Sequence, residues 1–263
     1  MNLIHSAVLG LVQGLSEFLP ISSSAHLYII PWFFNWQYQG LAFDVVLHLG
    51  TLVAVIAYFF NDWKRILGGA IKGNEERKIL TFIIIATIPG AIFGVLFEKQ
   101  AENVFRSPFL IAEVMFTFGI VLWLADMLGK KNKNMKTMKW TDSLLIGLSQ
   151  ALAIIPGVSR SGSTITAGLA LGMSKEDSTR FSFLLSTPII AGAFLWEGRK
   201  IEGLLQVQPI SLLVGFITSA VFGYISIWFL LRYLKQHGFF PFVVYRILFA
   251  FVIFVLCLLC LIQ

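Results

Sequence analysis

Apolar residues run along this chain in long blocks separated by short polar loops. Six blocks are long enough to cross a bilayer, whose hydrocarbon core takes about 20 helical residues. They cover 41–60, 79–97, 108–128, 181–196, 209–231 and 243–262, of which 181–196 is the shortest and would cross with little tilt. Two further blocks, 3–19 and 144–155, each stop at a proline, Pro20 and Pro156. Each then passes through serines into a second short apolar segment. Segments of that length re-enter more often than they span. Non-helical backbone at membrane depth survives only where it is buried in protein or lines a wet cavity. The pattern therefore predicts an all-α polytopic membrane protein with six transmembrane helices and two re-entrant helix hairpins, 3–34 and 144–172.

Composition leaves no room for a soluble alternative. Hydrophobic residues make up 57% of the 263 residues and charged ones 13%, with a mean hydropathy of +0.81. A soluble domain carries about 25% charged residues, so too few are present to cover water-facing surfaces. The N-terminus does not read as a signal peptide, because it lacks a basic start and Glu17 interrupts its apolar run. Cys257 and Cys260 sit among Leu, Val and Ile, and read as packed thiols without redox or metal chemistry.

Charge then orients the blocks. The net charge of +6 lies in loops and not along one helix face, which argues for topology and against nucleic acid. If each hairpin returns to its side of origin, one set of loops holds fourteen basic residues. These are Lys64, Arg65, Lys72, Arg77 and Lys78, then Lys130, Lys131, Lys133, Lys136 and Lys139, then Lys175, Arg180, Arg232 and Lys235. The opposite set holds four: Lys99, Arg106, Arg199 and Lys200. Positive-inside bias places the richer set in the cytoplasm. Arg160 and Arg246 remain, within or beside membrane segments.

The sequence also repeats itself. Gly10-Leu11-Val12-Gln13-Gly14-Leu15 returns as Gly147-Leu148-Ser149-Gln150-Ala151-Leu152, and Pro20 with its serines returns as Pro156 with Ser159, Ser161 and Ser163. Further on, Ala91-Ile92-Phe93-Gly94 echoes Ala220-Val221-Phe222-Gly223. The chain is thus expected to be one membrane domain of two repeats, 1–128 and 143–263. Each holds one hairpin and three spans, and the odd number of spans inverts the second. Such folds place their sites near the midplane, at broken helices in corresponding positions.

Those broken helices hold nearly all the intramembrane polar residues. In the first, Gln13 and Glu17 share a helix face, and Ser22, Ser23, Ser24 and His26 follow Pro20. A carboxylate at membrane depth costs about 2.5–3.5 kcal/mol, so Glu17 needs a metal, a His or an Arg as partner. The second reads Pro156-Gly157-Val158-Ser159-Arg160-Ser161-Gly162-Ser163-Thr164. Its glycines allow close backbone approach, and its hydroxyls and guanidinium supply donors. A helix starting near Ser163 would aim its N–H groups at the same point, and together these predict a phosphate clamp. Elsewhere, Asp44 and His48 lie four apart on one face, either as a second pair at the site or as a structural hydrogen bond.

Gln13-Gly14-Leu15-Ser16-Glu17-Phe18-Leu19-Pro20-Ile21-Ser22-Ser23-Ser24-Ala25-His26 and Pro156-Gly157-Val158-Ser159-Arg160-Ser161-Gly162-Ser163-Thr164 resemble the two signature stretches of the bacterial undecaprenyl-diphosphate phosphatases, the bacitracin-resistance family. The resemblance extends to Phe43-Asp44-Val45-Val46-Leu47-His48-Leu49-Gly50-Thr51 and Phe181-Ser182-Phe183-Leu184-Leu185. It implies hydrolysis of a polyprenyl diphosphate on the outer side of the bacterial inner membrane, recycling the lipid carrier for cell-wall polymer synthesis. It also implies a divalent cation, Mg²⁺ or Ca²⁺, and the inverted repeat. The family's glutamate falls on Glu17, its serines on Ser22 and Ser23, its histidine on His26 and its arginine on Arg160. One departure is Gln13, at a position where the family can carry Glu. A neutral amide can offer oxygen to a cation but adds no charge.

Charge then suggests the roles. Arg160 and the backbone and hydroxyls of Gly157, Ser159, Ser161, Gly162 and Thr164, with Ser22, would clamp the phosphates, while Glu17 and Gln13 would hold the cation. The nucleophile is expected to be Ser23, then Ser22, with His26 as base. Direct attack by His26, or by a water that it activates, stays open. A transporter of a phosphate-bearing lipid or anion would use the same fold. A phosphatidic-acid-phosphatase type is excluded, since no Arg-Pro occurs and Ser159-Arg160 lacks the required His downstream. Neither cysteine precedes an arginine as a tyrosine-phosphatase loop would need. The reading leaves room for a homodimer.

Overall fold

In a computed structural model, residues 2–37, 40–97, 100, 105, 107–197 and 208–262 are described. All the regular structure among them is helical apart from one isolated bridge between Lys133 and Met173. Every apolar block forms a helix, and several helices start where the sequence supplies a start signal. Pro108 opens α6 (Pro108–Leu128) and Pro209 opens α10 (Pro209–Tyr233), at the one helical position where the missing N–H costs nothing. Ahead of α9 (Lys175–Glu197), the Ser174 hydroxyl accepts from Asp177 N and donates to the Asp177 carboxylate.

Five helices are long and apolar enough to span: α5 (Asn74–Leu96), α6, α9, α10 and α11 (Phe240–Ile262). The chain is a multi-pass membrane protein. The 41–60 block departs from expectation. It divides into α3 (Leu41–Tyr58) and α4 (Phe60–Lys72), which meet at 71°, so the pair counts as a sixth span only when taken together. The stretch after residue 60, expected as a loop, is instead an amphipathic helix that buries Ile66 and presents Asp62 to Arg65 and Arg180. The loop basic residues Lys99, Arg106, Arg199 and Lys200 lie outside the described residues.

Side-chain partition matches a lipid solvent. Ile84, Ile88 and Ile92 line one exposed face of α5, and Ile217 and Val221 one of α10, each about half exposed. Inward, α10 buries Ser211, Gly215, Ser219, Gly223 and Ser226, the small-residue stripe that lets backbones approach where lipid supplies no hydrophobic drive. The first broken block forms α1 (Leu3–Phe18) and α2 (Ser23–Phe33); the second forms α7 (Trp140–Ala151), a short 3₁₀ turn and α8 (Arg160–Ala170). Against the α10 stripe lies α1, so close that a methyl on Gly14 would meet Gly223 N and Ser219 O at 2.7 Å. Similarly, α7 lies on α5, where a methyl on Gly147 would meet Ala86 O at 2.6 Å. The two breaks, near residues 19–22 and 155–159, are thereby brought together.

Candidate active site

The breaks are built alike. Ser22 (φ 74°) caps α2 and Ser159 (φ 73°) caps α8, each in backbone space that costs a residue with a Cβ about 1–2 kcal/mol. Each hydroxyl accepts from a backbone N–H: Ser22 Oγ from Gly157 N at 3.1 Å, and Ser159 Oγ from Gly162 N at 3.0 Å. The first of these ties the two breaks together, as does Ser161 Oγ donating to Leu19 O at 3.2 Å. With Ser159 as cap, α8 begins at Arg160, three residues earlier than the sequence suggested. The N-termini of α2 and α8 therefore both open at the same place, and both present the positive end of a helix dipole.

Between them sits Glu17, only 6% exposed. Its Oε1 accepts from Arg160 Nη2 at 2.7 Å. Its Oε2 accepts from Ser23 Oγ at 2.6 Å and Gln13 Nε2 at 3.1 Å, and lies 3.5 Å from His48 Nε2. Of the three partners the sequence allowed for the carboxylate, arginine is at hydrogen-bond distance. Arg160 is fixed on its other side by Nη1 donating to Ser182 O at 3.2 Å, and Ser182 Oγ meets Thr164 Oγ1 at 2.7 Å. His48 enters the site by donating from Nδ1 to the Asp44 backbone carbonyl at 2.7 Å, which turns Nε2 toward Glu17. The pair thus works through Asp44's backbone. Ser23, Arg160, Asp44 and His48 are partly exposed, giving the cluster an open side.

His26 faces elsewhere. Its Nδ1 lies 2.7 Å from Ser22 O, a carbonyl that can only accept, so Nδ1 carries the proton. Nε2 then accepts from Tyr245 Oη at 2.6 Å, and the ring stacks on Phe249 at 4.4 Å. The expected pairing of His26 with Ser23 is replaced by Ser23 with Glu17. The reason is geometric: His26 lies one turn beyond Ser22 and faces α11.

Chemically, the cluster offers a hydroxyl already hydrogen-bonded to a carboxylate, with a guanidinium and two helix N-termini around it. For a cation the donors are oxygens. Gln13 Oε1 is buried with no hydrogen-bond partner, and Glu17 lies beside it. No group of three His, Cys, Asp or Glu side chains poised for a metal occurs among the described residues. Gln13 and Glu17 therefore fit a cation completed by phosphate and water oxygens, not one caged by protein.

The family described as "Bacitracin resistance protein BacA" matches residues 6–252. The chain belongs to this family. An undecaprenyl-diphosphatase of Moorella thermoacetica is 51% identical over 255 residues, which is 95% of this chain and 96% of that protein. One of Pelotomaculum thermopropionicum is 50% identical over 97% of each chain, and one of Desulforudis audaxviator 47% identical over 98% and 99%.

In this family member the residue that sequence reading missed is Arg246. It is 1% exposed and, among the described residues, donates only to carbonyls: Pro20 O and Val158 O from Nη1, Gly157 O from Nη2, and Met115 O from Nε, at 2.7–3.2 Å. Through these carbonyls it ties both breaks to α6 and α11. The available signal was an arginine in an apolar run, too costly there to be idle. Tyr245 and Ser182 carried no such signal.

Proposed function

We propose that this chain hydrolyses undecaprenyl diphosphate to undecaprenyl phosphate and inorganic phosphate. The observation that carries this is Glu17, held between Arg160 and Ser23 where α2 and α8 begin. In the proposed reaction the terminal phosphate settles on the two helix N-termini and takes Arg160 as its partner, which leaves Glu17 free as base. Ser23 Oγ attacks the terminal phosphorus, its proton passes to Glu17, and the bridging P–O bond breaks toward undecaprenyl phosphate. Glu17 hands that proton to the departing undecaprenyl phosphate. Water then attacks the phosphoserine phosphorus, giving a proton to Glu17 that returns to Ser23 Oγ as the Oγ–P bond breaks and phosphate leaves. Arg160, the hydroxyls of Ser159, Ser161 and Thr164, and the Gly157 and Gly162 backbone bind and orient the phosphates. Such positioning supplies most of the catalysis in phosphoryl transfer. His26, with Tyr245, holds the Ser22 turn.

Gln13 and the Glu17 oxygen that Arg160 vacates would hold Mg²⁺ or Ca²⁺, which would neutralise phosphate charge, while the oxygen facing Ser23 takes the proton. The reciprocal docking of α1 on α10 and α7 on α5, each a broken helix of one repeat on a span of the other, supports an inverted repeat with two re-entrant hairpins. Loop charge supports an opening toward the outer side of the cytoplasmic membrane. The same architecture serves transporters, so the test must need no second compartment. Purified protein in detergent with Mg²⁺ or Ca²⁺ is expected to release phosphate from undecaprenyl and farnesyl diphosphates. Arg160→Lys should lose about 10²-fold or more, as for loss of a transition-state donor. No release by wild type with either cation would sink the reading; near-normal turnover of Arg160→Lys would sink the clamp.

A further inference from the structure

At the end of the molecule that carries the basic loops, a cavity of about 540 Å³ opens between the C-terminal ends of α3 and α10 and the first turns of α9. Its lining includes Arg180, Arg232, Lys235, Glu176, Tyr58 and Trp228. It is not an annex of the Glu17 cluster. Phe18, Phe59 and Phe183, all 0% exposed, stack edge to face between the two, and Arg180 lies over the Phe59 ring at 5.4 Å.

The charges do not cancel. Arg180 shares Asp62 with Arg65, at 2.6 and 3.2 Å, and Glu176 is the carboxylate in the lining. Arg232 lies over the Trp228 ring at 5.8 Å, and neither it nor Lys235 has a carboxylate partner among the described residues. With Arg65 counted, four cations stand against the two carboxylates Asp62 and Glu176, a positive excess that suits an anionic phosphate headgroup. Tyr58, Tyr224 and Trp228 around the rim are the side chains that settle at headgroup level. Beside the cavity, Ile225 and Phe229 present exposed apolar surface. Acyl chains would lie there, and a free phosphate would leave it bare.

We infer that this cavity is a second, non-catalytic site, which seats the headgroup of an anionic phospholipid with its chains against α10. Basic pockets between helices on this side of a membrane protein suit such headgroups.

The test is native mass spectrometry of the full chain released from phosphatidylglycerol nanodiscs, with phosphatidylcholine nanodiscs as reference. Wild type should retain phosphatidylglycerol in preference to phosphatidylcholine. The double variant Arg232→Ala/Lys235→Ala should bind it about tenfold or more weakly. Lys64→Ala/Lys130→Ala, which removes the same charge from exposed positions away from the cavity, should bind like wild type. Thermal unfolding of both variants checks that each is folded, and Arg232→Gln serves if the double variant is not. Equal weakening in the two double variants would overturn the site in favour of diffuse attraction. If sn-glycerol 1-phosphate competes as strongly as the lipid, the lipid assignment fails.

Discussion

At the scale of residues, the site turns on which side chain Ser23 meets. With Glu17 as its partner, Ser23→Ala should cut phosphate release by on the order of 10³-fold or more, as removal of a nucleophile does. Tyr245→Phe, which strips only the far nitrogen of His26, should stay within about tenfold of wild type. A general base contributes about 10²–10⁴-fold, so a 10²-fold or greater loss in Tyr245→Phe would return that role to His26. Kinetics on purified variants decide between them. Ser159 is a second residue where two demands conflict, since its backbone wants glycine and its hydroxyl is needed by Gly162 N. Ser159→Gly removes about 1–2 kcal/mol of backbone strain and about a few tenths of capping energy. It should therefore unfold at a higher temperature while releasing phosphate more slowly. A lower unfolding temperature would show that the hydroxyl outweighs the strain.

At the scale of elements, the breaks matter more than the spans. Arg246 holds carbonyls from Pro20, Gly157, Val158 and Met115, with no carboxylate partner among the described residues. Each buried carbonyl left unpaired costs about 1–3 kcal/mol, so Arg246→Met should destabilise by about 3 kcal/mol or more. Activity should fall with it, because both helix N-termini would lose their support. Thermal unfolding alongside turnover tests this, and unchanged values of both would remove Arg246 from the site. Much of this level was legible in sequence. Pro20 and Pro156 marked the breaks, Glu17 and Arg160 stood out as charges that lipid would not tolerate unpartnered, and Ser23 stood out through the family resemblance. The bend between Tyr58 and Phe60 was not legible, because no proline or glycine marks it within the apolar block. Arg246 escaped assignment because its partners are backbone atoms from three distant segments, which no local pattern encodes. Spacing along α2 does not say which way the His26 ring turns, and its Nε2 faces Tyr245.

At the scale of the whole molecule, the clearest expectation is orientation. In a variant lacking Cys257 and Cys260, Lys130→Cys should react with a membrane-impermeant maleimide only after spheroplasts are opened. Labelling of intact spheroplasts would invert the topology and place the candidate site on the wrong side for the proposed reaction. The reciprocal docking of helices also bears on how the chain is made. When α7 leaves the ribosome its surface on α5 already exists, but α1 must wait for α10, about 200 residues later. At about 5–20 residues per second, the glycine face of α1 spends about 10–40 s without α10, and Glu17 about 7–29 s without Arg160. Although made long before α10, α1 is therefore among the last of these helices to be seated, and the interval invites shelter from the insertion machinery. A chain cut short before α10 would leave that face uncovered, a mark by which quality control could recognise it.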